Sequence, residues 1–421
     1  MNNIEITPKT DVQVYIKTAH NIGKYLAKEA IWYKDMCNWT GHEVSVVGGK
    51  YETVVKACSI DLYSGLTGIA LFLTELVHKT QDPIILHTLN GTLNTIYYNL
   101  EKSKVNNFGY YSGKIGVGYT LWRIGKKMQN PQLAAKGLEY VKSVKDEEIT
   151  DHEVDIISGA AGSISVLLKL YYAEKDDEFL DIAKKCGQFL LKKAIKNGET
   201  WSWMTVDPKR ALTGYSHGAS GIASAMMELY ATTKDEEYWH AAIGGFNYEK
   251  TWYNDQAKNW PDLRQHEENK PLNYGTMWCH GAPGIAIANL KAYEMTKLDY
   301  FLNEAKIAIE TTKRSVIRET QPNIGANFSL CHGLAGNADI LLYASQILET
   351  PEYAQIALKA GDLGISLYDT TGTVFPSGVN DPSGVTRGQQ ENPGLMLGLS
   401  GTGMFYLRLA DMISIPSALV P

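Results

Sequence analysis

The chain has 421 residues, 44% of them hydrophobic and 20% charged, with a formal net charge of −6. This is an ordinary water-compatible composition with material for a large core. The acidic balance excludes nucleic acid as the main partner, because phosphate binding needs a basic footprint. No run of about eighteen uncharged apolar residues occurs, so no transmembrane helix is expected. The opening MNNIEITPKTDVQVY lacks the basic and apolar regions of a signal peptide, which points to the cytoplasm.

In chain order, DVQVYIKTAHNIGKYLAKEAI (11–31) comes first, with apolar residues at i, i+3 and i+4 spacing behind an Asp. That pattern predicts an amphipathic helix. EVSVVGG (43–49) is the main strand signal. YSGLTGIALFLTEL (63–76) then introduces G-x-x-G ahead of an apolar run. The pattern returns at YSGKIGVGYTLWRI (111–124), ISGAAGSISVLLKL (157–170), SHGASGIASAMMEL (216–229), CHGAPGIAIANLKA (279–292), CHGLAGNADILLYA (331–344) and MLGLSGTGMFYLRL (396–409). Between these motifs lie six more amphipathic segments, at 82–102, 131–148, 176–195, 235–253, 298–316 and 351–369. Each starts near Asp or Pro and carries a charged face.

Seven glycine motifs at spacings of 46 to 65 residues make a repeat of two helices per unit. The post-glycine helices hold few charges and read as buried on most sides; the amphipathic ones read as outer. The expected fold is all-α: an α,α-toroid of seven helical hairpins with inner and outer rings, in a single domain over residues 1–421, with closure read from the count and an open solenoid fitting the same pattern. Glycine here serves tight turns and close backbone approach. The residue before the first glycine is less easily explained by packing. It runs Ser64, Ser112, Ser158, His217, His280, His332, Leu397, so three of the ten histidines share one repeat position.

Only five cysteines occur: Cys37, Cys58, Cys186, Cys279 and Cys331. The first three read as small buried hydrophobes. Cys279 and Cys331 stand in equivalent Cys-His-Gly triplets of neighbouring repeats, which suggests a zinc site with His280 or His332 supplying nitrogen. The spacing fits no zinc finger, and three protein ligands with one open position is the catalytic arrangement.

At these residues the chain resembles the lanthionine synthetase C-like family, the lanthipeptide cyclases, over nearly its whole length. WCHGAPG (278–284) and SLCHG (329–333) look like the family's two metal motifs, GYSHGASGIA (214–223) its histidine motif and DIISGAAG (155–162) its aspartate motif. DLYSGLTGIALFL (61–73), NWPDLR (259–264), NPGLMLGLSGTG (392–403) and IPSALVP (415–421) are most similar to the cyclase half of bifunctional class II synthetases. A free-standing cyclase and an excised domain both fit.

The resemblance implies Zn2+ held by Cys279, Cys331 and His332, with His280 beside a ligand and Trp278 lining the cavity. It implies a substrate peptide, leader plus core, that carries dehydroalanine or dehydrobutyrine. A cysteine of that peptide adds as thiolate to the β-carbon and forms a lanthionine or methyllanthionine thioether. His217 is the implied acid, since imidazole can take and give a proton; Asp155 orients it or aids proton transfer, with helix capping as the competing role. Some family members carry an arginine four residues before the first zinc cysteine, where this chain has Gly275. Arg264 is the candidate replacement, against a solvated loop position. Tyr215, Asn337 and Asp339 complete the expected surroundings. A dehydratase is a further expected partner, with membrane association through such a complex. Two other readings share the zinc motifs: a glutathione-binding member that adds glutathione to dehydroamino acids, and a non-catalytic peptide-binding scaffold. Prenyltransferase β-subunits and six-hairpin glycosidases have six repeats, and the Cys-His-Gly triplets weigh against them as well.

Overall fold

The structure, a computed structural model, describes residues 11–47, 50–100, 102, 107–264, 266, 270–322, 324–379 and 392–421. The leading MNNIEITPKT and the two glycines that close EVSVVGG lie outside the described residues.

The described elements are, in order, α1 (Val12–Glu29), β1 (Ile31–Tyr33), β2 (Met36–Asn38), β3 (Thr40–Val47), β4 (Lys50–Ala57), α2 (Leu66–Thr80), α3 (Pro83–Asn99), α4 (Lys114–Lys127), α5 (Pro131–Lys142), α6 (Ala160–Glu174), α7 (Asp177–Lys193), β5 (Ile195–Asn197), β6 (Thr200–Ser202), α8 (Ala219–Thr233), α9 (Glu236–Thr251), α10 (Ala282–Thr296), α11 (Asp299–Glu319), α12 (Leu334–Ile347), α13 (Pro351–Gly364) and α14 (Leu399–Ala410). A π-turn, Ile365–Asp369, continues α13. Every amphipathic segment and every post-glycine run is a helix. The ends differ: 131–148 stops at Lys142, and 11–31 stops at Glu29 because the chain turns into a hairpin.

Side-chain caps start the amphipathic helices. Asp11, Asp82, Asp176 and Asp235 each accept from a backbone N–H of the first turn, worth about 1 kcal/mol each. The turns that lead into them are left-handed at non-glycine residues: Gln81, Gln129, Lys175, Lys234, Lys297 and Glu349, with φ of 49–62°. That conformation costs about 1 kcal/mol per residue. At Gln81, Lys175, Lys234 and Lys297 it is offset by a bond from the residue's N–H to the carbonyl four residues back.

The glycine motifs start the other helices by close approach. A Cβ on Gly284 would stand 2.2 Å from the Trp278 carbonyl oxygen, and the second glycine of all seven motifs meets the carbonyl six residues earlier in this way, at 1.4–2.3 Å. Only glycine lets the first turn of the helix sit on the preceding loop. The helices that follow are buried on all sides, as from Leu66 to Leu76 in α2.

Three antiparallel hairpins exceed the strand expectation. Two of them are three-residue strands that tertiary packing holds. Trp32 lies over Gly91 of α3 and stacks on His87, and Trp201 lies over Gly244 of α9. Trp39 Nε1 donates to Leu26 O, Trp203 Nε1 to Leu190 O and Trp260 Nε1 to Glu249 O, each closing the end of an amphipathic helix.

The chain divides into two compact units. The first comprises the described parts of 1–104, 124–130 and 315–420. In it α2 packs on α3, α12 on α13, and the chain's first helix, α1, on its last, α14. Arg408 of α14 donates to Asp339 and to Ile415 O. The second unit comprises the described parts of 105–123 and 131–314, with 421. In it α6 packs on α7 and α8 on α9, and α8 contacts both α6 and α10. No described helix is long and apolar enough to cross a membrane.

Candidate metal and acid–base site

Hydrogen bonds between successive glycine turns line up equivalent repeat positions. In the second unit Tyr111 N donates to Ile157 O (3.0 Å), Ile156 N to Ser216 O (3.0 Å) and Ser216 N to Cys279 O (3.2 Å). In the first unit Cys331 N donates to Met396 O (2.9 Å) and Met396 N to Tyr63 O (2.8 Å). Residues just before each first glycine are thereby gathered at one end of the helices.

In the second unit this lacing brings Asp155 to His217 across 62 positions of sequence. Asp155 Oδ2 lies 2.6 Å from His217 Nδ1, and Oδ1 accepts from Ser158 N (2.8 Å) and Ser158 Oγ (3.2 Å). Asp155 makes no cap to α6, whose N-cap is Gly159 without a side-chain bond. The carboxylate is 1% exposed and the imidazole 16%, so the ring is oriented by a buried anion while part of it reaches solvent. With Nδ1–H bonded to Asp155, Nε2 is the nitrogen that can exchange a proton.

The loop that carries His217 rests on Glu249 of α9. Glu249 Oε1 accepts from Gly214 N (2.7 Å) and Ser220 N (2.9 Å). The residue is 3% exposed, and burial pushes its carboxyl up to about 8 against the pull of those two N–H groups. Sequence reasoning missed it: a Glu in an amphipathic helix reads as surface, and nothing local marks it as facing inward.

The neighbours of His217 are dry. His280 is fully buried, its ring centroid 6.0 Å from that of His217. Burial, then the charge of Arg264, holds it well below the ordinary histidine range. Asp262 Oδ1 lies 3.8 Å from His280 Nδ1 and takes Arg264 as an ion pair at 2.7 Å. Burial raises the Asp262 carboxyl, but the Arg264 bonds and the charges outweigh it and leave it lowered. Arg264 is thus tied to its own loop, its side chain 40% exposed. Trp278 is fully buried, with its ring against Tyr111 (5.2 Å) and Tyr215 (5.8 Å). The Tyr215 hydroxyl is buried without a hydrogen-bond partner among the described residues, and burial raises it well above the usual phenol range. Cys279 is 6% exposed, with Met277 Sδ 4.0 Å from its Sγ.

In the first unit Cys331 is 3% exposed and His332 follows it, half-buried, in the wall of a cavity of about 690 Å³ that Asn327, Arg318, Tyr368 and Ser377 also line. His332 Nε2 meets Gly378 O at 2.6 Å. Asn337 is buried in α12. Asp339, placed near the site by sequence, instead neutralises Arg408 and accepts from Ser417 Oγ.

Cys279 in the second unit and Cys331 and His332 in the first supply two thiols and one imidazole, the donor types zinc prefers. Of the remaining thiols Cys37 and Cys186 are buried and Cys58 is half-buried; desolvation pushes Cys58 and Cys186 up to about 12 and raises Cys37.

Residues 57–420 match the lanthionine synthetase C-like protein family. The lacticin 481/lactococcin biosynthesis protein LcnDR2 of Lactococcus lactis subsp. lactis is 30% identical over 320 residues, covering 73% of this chain and 32% of that protein. The aligned part is therefore about a third of that relative's length. The nisin biosynthesis protein NisC of the same organism is 23% identical over 354 residues, 76% of this chain and 83% of that protein. A nisin cyclase structure matches 85% of this chain and 90% of its own with a TM-score of 0.64 at 18% identity, which shows the fold, an α,α-toroid.

Proposed function

The chain belongs to the lanthionine synthetase C-like family, and from that premise we propose that it is a zinc-dependent lanthipeptide cyclase. Its substrate is a dehydrated precursor peptide, and its product carries lanthionine or methyllanthionine rings. Zinc bound by Cys279, Cys331 and His332 would lower the pKa of a peptide cysteine and hold it as thiolate.

The observation that carries the acid–base part is the 2.6 Å contact of His217 Nδ1 with buried Asp155. The reaction forms a C–S bond at the β-carbon and moves the alkene electron pair toward the adjacent carbonyl. The proton lost by the peptide thiol, taken up on His217 Nε2, must then reach the α-carbon. His217 Nε2–H delivers it, and Asp155 is the positioning residue that keeps Nδ1 protonated and steadies the charged ring. A scaffold that only bound peptide has no need of such a pair. The dry surroundings, with His280 neutral and Trp278 buried, keep the site's dipoles fixed during the step. A dehydratase supplies the dehydrated peptide, in the reducing compartment that five free thiols suit.

The test is incubation of the full chain, zinc-loaded, with a dehydrated precursor peptide. Cyclisation leaves the mass unchanged, so free thiols are counted by alkylation before mass spectrometry. Loss of alkylation by the wild type and its retention with His217→Ala is the expected result. Glutathione adducts in place of rings would move the assignment to the glutathione-transferring branch. No reaction with either thiol would leave a peptide-binding scaffold.

A further inference from the structure

His332 Nε2 lies 2.6 Å from a main-chain oxygen, Gly378 O. A carbonyl can only accept, so Nε2 carries the hydrogen, and in the neutral ring Nδ1 then carries the lone pair. The carbonyl is pinned from both sides. Phe328 N donates to Pro376 O (2.9 Å), and Gly378 N donates to Leu397 O (2.7 Å). Phe328 and Leu397 themselves flank the sixth and seventh glycine turns, and Thr402 Oγ1 of α14 holds Phe328 O at 3.0 Å. Phe375, 6% exposed, anchors the segment against Phe328 and Tyr406.

The approach leaves no room for a side chain. A Cβ on Gly378 would stand 2.8 Å from His332 Nε2 and 2.5 Å from Ser329 Oγ. Ser329 is the residue whose hydroxyl accepts from His332 N (3.4 Å), so both contacts would disturb the same ligand.

We infer that Gly378 is a positioning residue of the metal site: its carbonyl fixes His332 as the Nε2–H tautomer, makes Nδ1 the metal-binding nitrogen, and reaches the ring only because residue 378 has no side chain. The metal half of this rests on the zinc reading above; the tautomer half does not. Partners of this kind orient ligating histidines, and losing one typically weakens metal affinity about 10–100-fold.

Two measurements on the full chain decide it. Nitrogen-15 shifts of the histidine rings in metal-free protein near about pH 8 report the tautomer. The expected pattern for His332 is a protonated Nε2 and an unprotonated Nδ1, and the reverse overturns the inference. Zinc affinity is then read by chelator competition in wild type and Gly378→Ala, with circular dichroism confirming the fold. One tightly held zinc in the wild type and about 10–100-fold weaker binding in the variant are expected. Equal affinities overturn the inference. A wild type that takes no zinc overturns the zinc reading instead, and the tautomer still decides the role of Gly378. If Gly378→Ala does not fold, the tautomer measurement stands alone as the deciding one.

Discussion

Replacing Glu249 by Gln tests whether a buried carboxyl under the His217 loop is held neutral. Its native value is near 8, against an ordinary 4.5 in the unfolded chain. Between those two values the native state binds the proton and the unfolded state releases it, so stability falls as pH rises through that window. At pH 7 the loss is about 3 kcal/mol, from about 1.4 kcal/mol for each pH unit above 4.5. Gln keeps the oxygen that accepts from Gly214 N and Ser220 N. It also puts its amide where Oε2 already sits buried without a partner among the described residues, so a comparable cost is carried over. Glu249→Gln is therefore expected to be no more stable than wild type at pH 4.5 and about 3 kcal/mol more stable at pH 7. Calorimetric unfolding of both proteins at several pH values measures this. A stability difference that does not grow between pH 4.5 and 7 would refute a neutral, burial-raised Glu249.

Asp155→Asn should leave the fold intact and slow ring closure by about 100-fold or more, with kcat rather than KM affected, because the amide oxygen stays with Ser158 N, the amide nitrogen then faces Nδ1, and a neutral amide cannot stabilise the charged ring; thiol alkylation against time reads it. Cys331→Ala should lose zinc, measured by metal analysis of the purified protein, with little change in circular dichroism. Gly284→Ala should fail to accumulate as folded protein, since the added Cβ meets the Trp278 carbonyl at 2.2 Å; soluble yield and circular dichroism check it. Arg408→Met strands buried Asp339 and should cost about 3–5 kcal/mol, while adding Asp339→Leu should recover much of that loss in denaturant unfolding.

Within its own letters the chain determined the fourteen helices of the described residues and the positions of its seven glycine turns. Those signals are local: the 3.6 period, an Asp or Pro at the helix start, and a glycine where backbone meets backbone. The Cys-His-Gly and Ser-His-Gly letters were legible too, because repetition exposes a position that breaks its own pattern. What depends on distant partners was not legible. The reach of Asp155 to His217 across 62 residues was readable only through the family resemblance, and that of Gly378 to His332 across 46 not at all, since no local rule ranks one Asp or Gly above its neighbours. Glu249 faces inward because α9 packs on α8, and a charged letter alone reads as solvent-facing. The three-residue hairpins exist because Trp32 and Trp201 settle on glycines of other helices, with too few residues to announce a strand. Asp339 was drawn toward the site by its nearness in sequence to a metal motif. Tertiary packing gave Asp339 to Arg408 and buried Trp278 between two tyrosines, because a buried charge needs a counter-charge and a large ring needs a core, whatever motif they lie beside.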